Sequence, residues 1–289
     1  MKTEEQKLSL AVLIVLYRKA SQDSIALQSL LTQQALLRDE GIDLQLHVWN
    51  NSPGVAQPCP GVRWHEADNQ RLSVVYNQVA EQVFAAGVDL FMISDDDTNY
   101  SDVSLSRCLE QIQQVLDTHD GDQVGVFLPM MVSNHQLVSP GARWLFKGRL
   151  TPSVTPGVVS SKNLVGINSG LIFTKACYKR MSPFYDERLR FYATDSNFFI
   201  RYEKVFPKAC VLNVTIAHDL SEHSADTPAR ALFRFEEMVL GLRISFESHS
   251  LMVRGLLNSY LFYAAVRKAV VYRRPSFLKA LFSSAGFVK

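Results

Sequence analysis

The chain has 289 residues, 47% of them hydrophobic and 20% charged, with 30 Lys and Arg against 28 Asp and Glu. That balance suits a soluble globular protein with one large core, or a core and an appendage, and a net charge of +2 gives no electrostatic case for a nucleic-acid partner. The charge is unevenly spread: no acidic residue follows Glu247, so a basic tail stands against a net acidic remainder.

The first apolar run, residues 8–16, is too short to span a bilayer and has no small-residue cleavage site after it. It reads as a buried parallel strand. Four widely spaced cysteines, Cys59, Cys108, Cys177 and Cys210, form no CxxC pair, as expected of reduced thiols in a cytoplasmic protein. Helical spacing follows over 21–38, then a strand at 44–49 broken by Asn50-Asn51-Ser52-Pro53-Gly54. A short strand at 62–64, a helix over about 71–86 and a strand at 89–93 come next, the last running into Ser94-Asp95-Asp96-Asp97. A helix at about 103–116 and a strand at 124–128 continue the alternation, while 132–164, rich in Ser, Pro and Gly, reads as a long loop. Alternating strands and helices imply a mostly parallel sheet flanked by helices, whose ligands bind at the carboxyl ends of the strands. From 231 onward the pattern is helical. The expected division is an α/β domain over 1–225 and a helical, basic, amphipathic region over 226–289.

Three consecutive carboxylates at the tip of a buried strand repel one another and are costly to desolvate. A divalent cation relieves that cost, and hard oxygen ligands suit Mg²⁺ or Mn²⁺. The alternative is the N-cap of the following helix, which also favours acidic residues.

In chain order come Val15-Leu16-Tyr17, Trp49-Asn50-Asn51-Ser52, Asn69 with Asn77, Ile93-Ser94-Asp95-Asp96-Asp97, Asn168-Ser169-Gly170, Thr194-Asp195 and His218. This set, over roughly residues 8–224, resembles glycosyltransferase family 2, and especially its rhamnosyltransferase-like bacterial members. The resemblance implies a GT-A, Rossmann-like sheet and an inverting, metal-dependent transfer. The donor would be a nucleoside diphosphate sugar (UDP- or dTDP-linked) and the acceptor a glycan or lipid-linked hydroxyl, in surface polysaccharide synthesis.

The same resemblance implies roles. Tyr17 and Asn51 would hold the nucleobase, with turn chemistry the competing explanation for Asn51. The family's commoner acidic residue after the second strand is here an amide. Asn69, Arg71 and Asn77 would line the diphosphate and ribose, a guanidinium being able to grip phosphate with two hydrogen bonds, unless Arg71 merely begins a solvated helix. Asp95 and Asp96 would face the donor, Asp97 and His218 the metal, with His223 a competitor for the last role. Ser169 would lie beneath the sugars. Asp195 would be the catalytic base, ionised at a helix N-terminus. Thr194 replaces the first acid of the usual pair, and Asp186 and Glu187 stay open as alternatives.

The basic tail, with interleaved aromatics, suggests a helix lying on an anionic membrane, which would put the enzyme on the inner face. The alternatives are packing on the catalytic domain or on a second subunit, so oligomerisation stays open. Two other functions compete. A nucleotidyltransferase would carry a Gly-rich loop after the first strand, and Tyr17-Arg18-Lys19-Ala20-Ser21 has no glycine. A non-catalytic sugar- or nucleotide-binding partner in glycan assembly would tolerate loss of Asp195.

Overall fold

A computed structural model describes residues 7–217 and 227–283. Strand β1 (Leu10–Leu16) is buried along nearly its whole length, as its unbroken apolar sequence requires. After a single 3-10 turn, α1 (Ile25–Asp39) begins where the Ser24 hydroxyl accepts the Leu27 N–H. There follow β2 (Leu44–Asn50), β3 (Val62–Glu66), α2 (Leu72–Ala85), β4 (Leu90–Ser94), α3 (Leu105–Leu116) and β5 (Val124–Ser133). β6 (Gln136–Ser139), β7 (Gly141–Trp144), β8 (Lys147–Arg149), β9 (Gly157–Ser160), β10 (Leu164–Val165) and β11 (Ile172–Thr174) come next. The chain then forms α4 (Lys175–Arg180), α5 (Thr194–Tyr202), β12 (Lys208–Ala217), α6 (Pro228–Ser245), α7 (Leu251–Val271) and α8 (Ser276–Ser283).

The main sheet has the order β3-β2-β1-β4-β11-β5-β12-β9, with β6 beside β5. The register makes β1, β2, β3, β4, β5 and β12 run one way and β6, β9 and β11 the other. The fold is therefore mixed α/β, with a mostly parallel central sheet flanked by helices. One apolar cluster packs α1 and α3 on one face, and a second packs α2, α4 and α5 on the other. Because β1, β2 and β4 are parallel and adjacent, Tyr17, Asn51 and Asp95 all leave the same edge.

The expected loop over 132–164 is instead built of short strands, five of them with at most four residues, and β7, β8 and β10 form a small separate sheet. Such strands are too short to display a two-residue alternation. The left-handed Asn134, His135, Leu145 and Asn163 that join them read as loop composition. The capping alternative for the aspartates also fails, since Ser104 caps α3 through its own hydroxyl. The C-terminal helices form, with α6 opened by Thr227 and Pro228 and α7 by Ser250.

One core group makes stability depend on pH. His47, wholly buried in β2, stacks on His65 with its Nδ1 3.1 Å from that ring's Nε2. Burial, then the His65 and Arg63 charges, lower its pKa to about 4. The unfolded chain takes up this proton near pH 6.5 and the fold only near 4, so stability is lost as pH falls through that window. From pH 7 to 5 the loss from this site is about 2 kcal/mol. Urea melts of wild type and His47→Leu at the two pH values should differ by that increment. An equal pH dependence of the two proteins would disprove it.

Candidate active site

Three strand-exit loops are tied into one rim. The Arg18 N–H donates to Ser52 Oγ (2.7 Å), joining the loops after β1 and β2. Lys19 Nζ pairs with Asp96 Oδ1 at 2.9 Å, joining those after β1 and β4. Tyr17 is exposed on this rim with Arg18 over its ring. Asn51 is buried, and its amide exchanges two hydrogen bonds with the Gln70 backbone (2.6 and 2.9 Å). That is the loop-fixing role that turn chemistry predicts. The exposed Asn69 adopts φ 43° and donates its N–H to the Asn51 carbonyl, closing the same loop.

The aspartates divide. Asp96 ties the rim to α1: besides the ion pair with Lys19, its carbonyl accepts from the Ala26 N–H and the Ser24 hydroxyl at the start of α1. Asp95 is held from below. Its N–H donates to Ser169 Oγ (2.9 Å), and that buried hydroxyl pairs with Thr98 Oγ1 at 2.7 Å. Ser169 reaches this position because Gly170, at φ 77°, turns the chain into β11 with its N–H on the Ile93 carbonyl. A Cβ at Gly170 would lie 2.8 Å from Pro129 Cγ, so only glycine fits the turn unstrained.

The same turn anchors α5. Asn168 Nδ2 donates to Thr194 Oγ1 (3.0 Å), and Tyr185 Oη donates to Asn168 Oδ1 (2.8 Å). Thr194 is the residue that stands where an acid was expected. It is buried and serves as the clip that fixes the first turn of α5, where Asp195 sits half-buried. Burial, then the charges of Asp97, Asp96 and Asp195, push Asp95 up to about 7. Asp95 still opens to solvent, and water there weakens the burial contribution. The crowding of like charge remains, and a cation would relieve it.

Asp95, Asp97, Ser169 and Asp195 thus come together, from a parallel-strand exit, a tight turn and a helix start. Arg71 is directed elsewhere: exposed at the start of α2, it donates to the Glu187 carbonyl (3.1 Å). His218 and its competitor His223 lie outside the described residues. Among the described residues, no group of three or more His, Cys, Asp or Glu side chains is arranged to hold a metal. Two carboxylates completed by substrate phosphates and water are nonetheless a normal environment for Mg²⁺. Lys19 and Thr98 are supporting residues that spacing did not single out, and Asn168, expected as part of the Asn168-Ser169-Gly170 turn, holds Thr194. The signal for Lys19 was its place in the loop after β1, facing the acidic loop after β4.

No family model matches the chain, and no curated protein matches it. Among solved structures, the crystal structure of A197 from STIV aligns over 77% of this chain and 91% of that one, at 11% identity and a TM-score of 0.42.

Proposed function

We propose that this protein is an inverting, metal-dependent glycosyltransferase of the GT-A type, resembling glycosyltransferase family 2. It moves a sugar from a UDP- or dTDP-sugar to a hydroxyl of a glycan or lipid-linked acceptor in surface polysaccharide synthesis. The observation that carries the proposal is the meeting of Asp95 and Asp97, at the exit of β4, with Asp195 at the start of α5.

Asp95 and Asp97 would hold Mg²⁺ or Mn²⁺ together with the donor's phosphates, and the cation would supply charge neutralisation for the leaving diphosphate. Asp195 takes the proton of the acceptor hydroxyl. As that oxygen bonds to the anomeric carbon from the face opposite the diphosphate, the carbon–oxygen bond to the diphosphate breaks and its electron pair leaves with it. Ser169 and Thr98 keep the Asp95 loop in place, and Asn168 and Thr194 keep Asp195 in place. Such positioning lets the acceptor meet the donor already aligned. Tyr17, exposed on the rim, would stack on the base.

Thermal shifts with a panel of nucleoside diphosphates and nucleotide sugars, with and without Mg²⁺ or Mn²⁺, test the reading. A ligand of the native state adds roughly 2.7 kcal/mol at a hundredfold excess over its Kd. The expected result is a metal-dependent rise in Tm with one nucleotide class, abolished in Asp97→Ala. The absence of a shift with every nucleotide would sink the proposal.

A further inference from the structure

Helix α7 has two apolar faces, and the described residues cover only one. Leu257, Leu261 and Ala265 turn inward and join Phe235, Phe277 and Ala280 in the C-terminal cluster. Met252, Leu256, Tyr263, Val266 and Val270 recur at helical spacing on the other side, with Met252 74%, Tyr263 64% and Val270 72% exposed. A stripe of large apolar side chains along the length of a helix marks an interaction surface rather than scattered exposure. Beside it stands a second projection. The turn between β7 and β8 leaves Trp144 (57%) and Leu145 in solvent, and the adjacent Phe146 packs against Tyr260 of α7 at 5.8 Å.

Charge decides what covers this surface. After Glu247 the sequence holds seven Lys and Arg and no Asp or Glu. Arg267, Arg273, Arg274 and Lys279 are exposed on α7 and the segment after it. Two copies pressed together along this face would bring like charges together, whereas anionic headgroups complement them. Among the described residues no helix is long and apolar enough to cross a membrane. We propose that the outer face of α7, with the Trp144–Leu145 turn at its flank, lies in the headgroup layer of an anionic bilayer. The apolar stripe would enter the acyl boundary while the basic side chains meet lipid phosphates. This inference stands apart from the transferase reading and is tested without any donor.

Vesicle flotation of the full chain provides the test, using phosphatidylcholine alone and phosphatidylcholine mixed with phosphatidylglycerol. The protein is expected to float with the anionic vesicles about tenfold or more better than with the neutral ones. Binding should fall in about 1 M salt, where the screening length is about 3 Å. Met252→Glu combined with Val270→Glu should cut flotation by about tenfold or more. Both positions are exposed, so the melting temperature should not change. Leu36→Glu, the same chemical change at an exposed position on α1, should leave flotation intact. A wild-type protein that stays at the bottom with anionic vesicles overturns the proposal, as does undiminished flotation of the double variant. A dimer that the double variant dissociates, without vesicle binding, assigns the face to a second copy and overturns it equally.

Discussion

Asp195→Asn is expected to lower kcat by roughly 10²- to 10⁴-fold, the usual contribution of a positioned general base, while the nucleotide- and metal-dependent thermal shift persists. The substitution keeps the bonds that Ser196 makes to this side chain, because they need only an acceptor: the Ser196 N–H (2.6 Å) and Ser196 hydroxyl (3.3 Å) donate to Oδ1. An amide oxygen can take both bonds, but the side chain can no longer accept a proton at neutral pH. The competing acids are engaged otherwise. Burial pushes Asp186 up, but the Arg188 guanidinium outweighs it and holds the carboxyl below the usual range. Glu187 Oε1 accepts from Asn77 Nδ2 at 2.9 Å. Asp186→Asn should therefore lower stability and leave kcat close to wild type. Paired thermal shifts and initial rates on the two variants separate binding from chemistry. Nearly full turnover in Asp195→Asn, or a collapse confined to Asp186→Asn, would move the base elsewhere.

The alternating sheet was legible because β1, β2 and β4 are buried strands with helix-period segments between them. Their order in the chain also foretold that Tyr17, Asn51 and Asp95 would share one edge. Legibility failed in two places. From 132 to 164 the strands are too short to carry a period, so the small β7–β8–β10 sheet could not be read from pattern. At the site, side-chain direction decided roles that spacing could not. Asp95 and Asp96 are neighbours in sequence, yet one opens toward Asp195 and the other pairs with Lys19. Asn51 and Arg71 fit a donor site equally well as sequence, and the structure shows both holding backbone atoms of distant loops. Contacts across more than forty residues, such as Gly241 on Ala193, leave no periodic trace at all.

That last contact supplies a test of how α5 is positioned. Ala193 precedes α5 in the left-handed conformation, at φ 64°, and Gly241 of α6 lies directly against it. A Cβ on Gly241 would fall 2.3 Å from the Ala193 Cβ, which is tied to the backbone and cannot swing away. Gly241→Ala must therefore separate α6 from the start of α5. Overpacking of this kind costs about 1–3 kcal/mol. A displacement of about 1 Å at a catalytic group can cost on the order of 10²-fold in rate, and Asp195 is two residues beyond the clash. The expected result is a lower Tm, a kcat down by about two orders of magnitude and a retained nucleotide shift, since Asp95 and Thr98, on either side of Asp97, are anchored through Ser169 instead. Ala193→Gly removes the opposing Cβ and suits a positive φ, so alone it should be nearly neutral: the relief of roughly 1 kcal/mol offsets the added freedom of the unfolded chain. Combined with Gly241→Ala it should restore both stability and rate, a strong positive coupling in the double-mutant cycle. If the two substitutions were simply additive, the clash would not be what positions Asp195. If Gly241→Ala lost stability without losing rate, α6 would be a brace for the fold and not for the base.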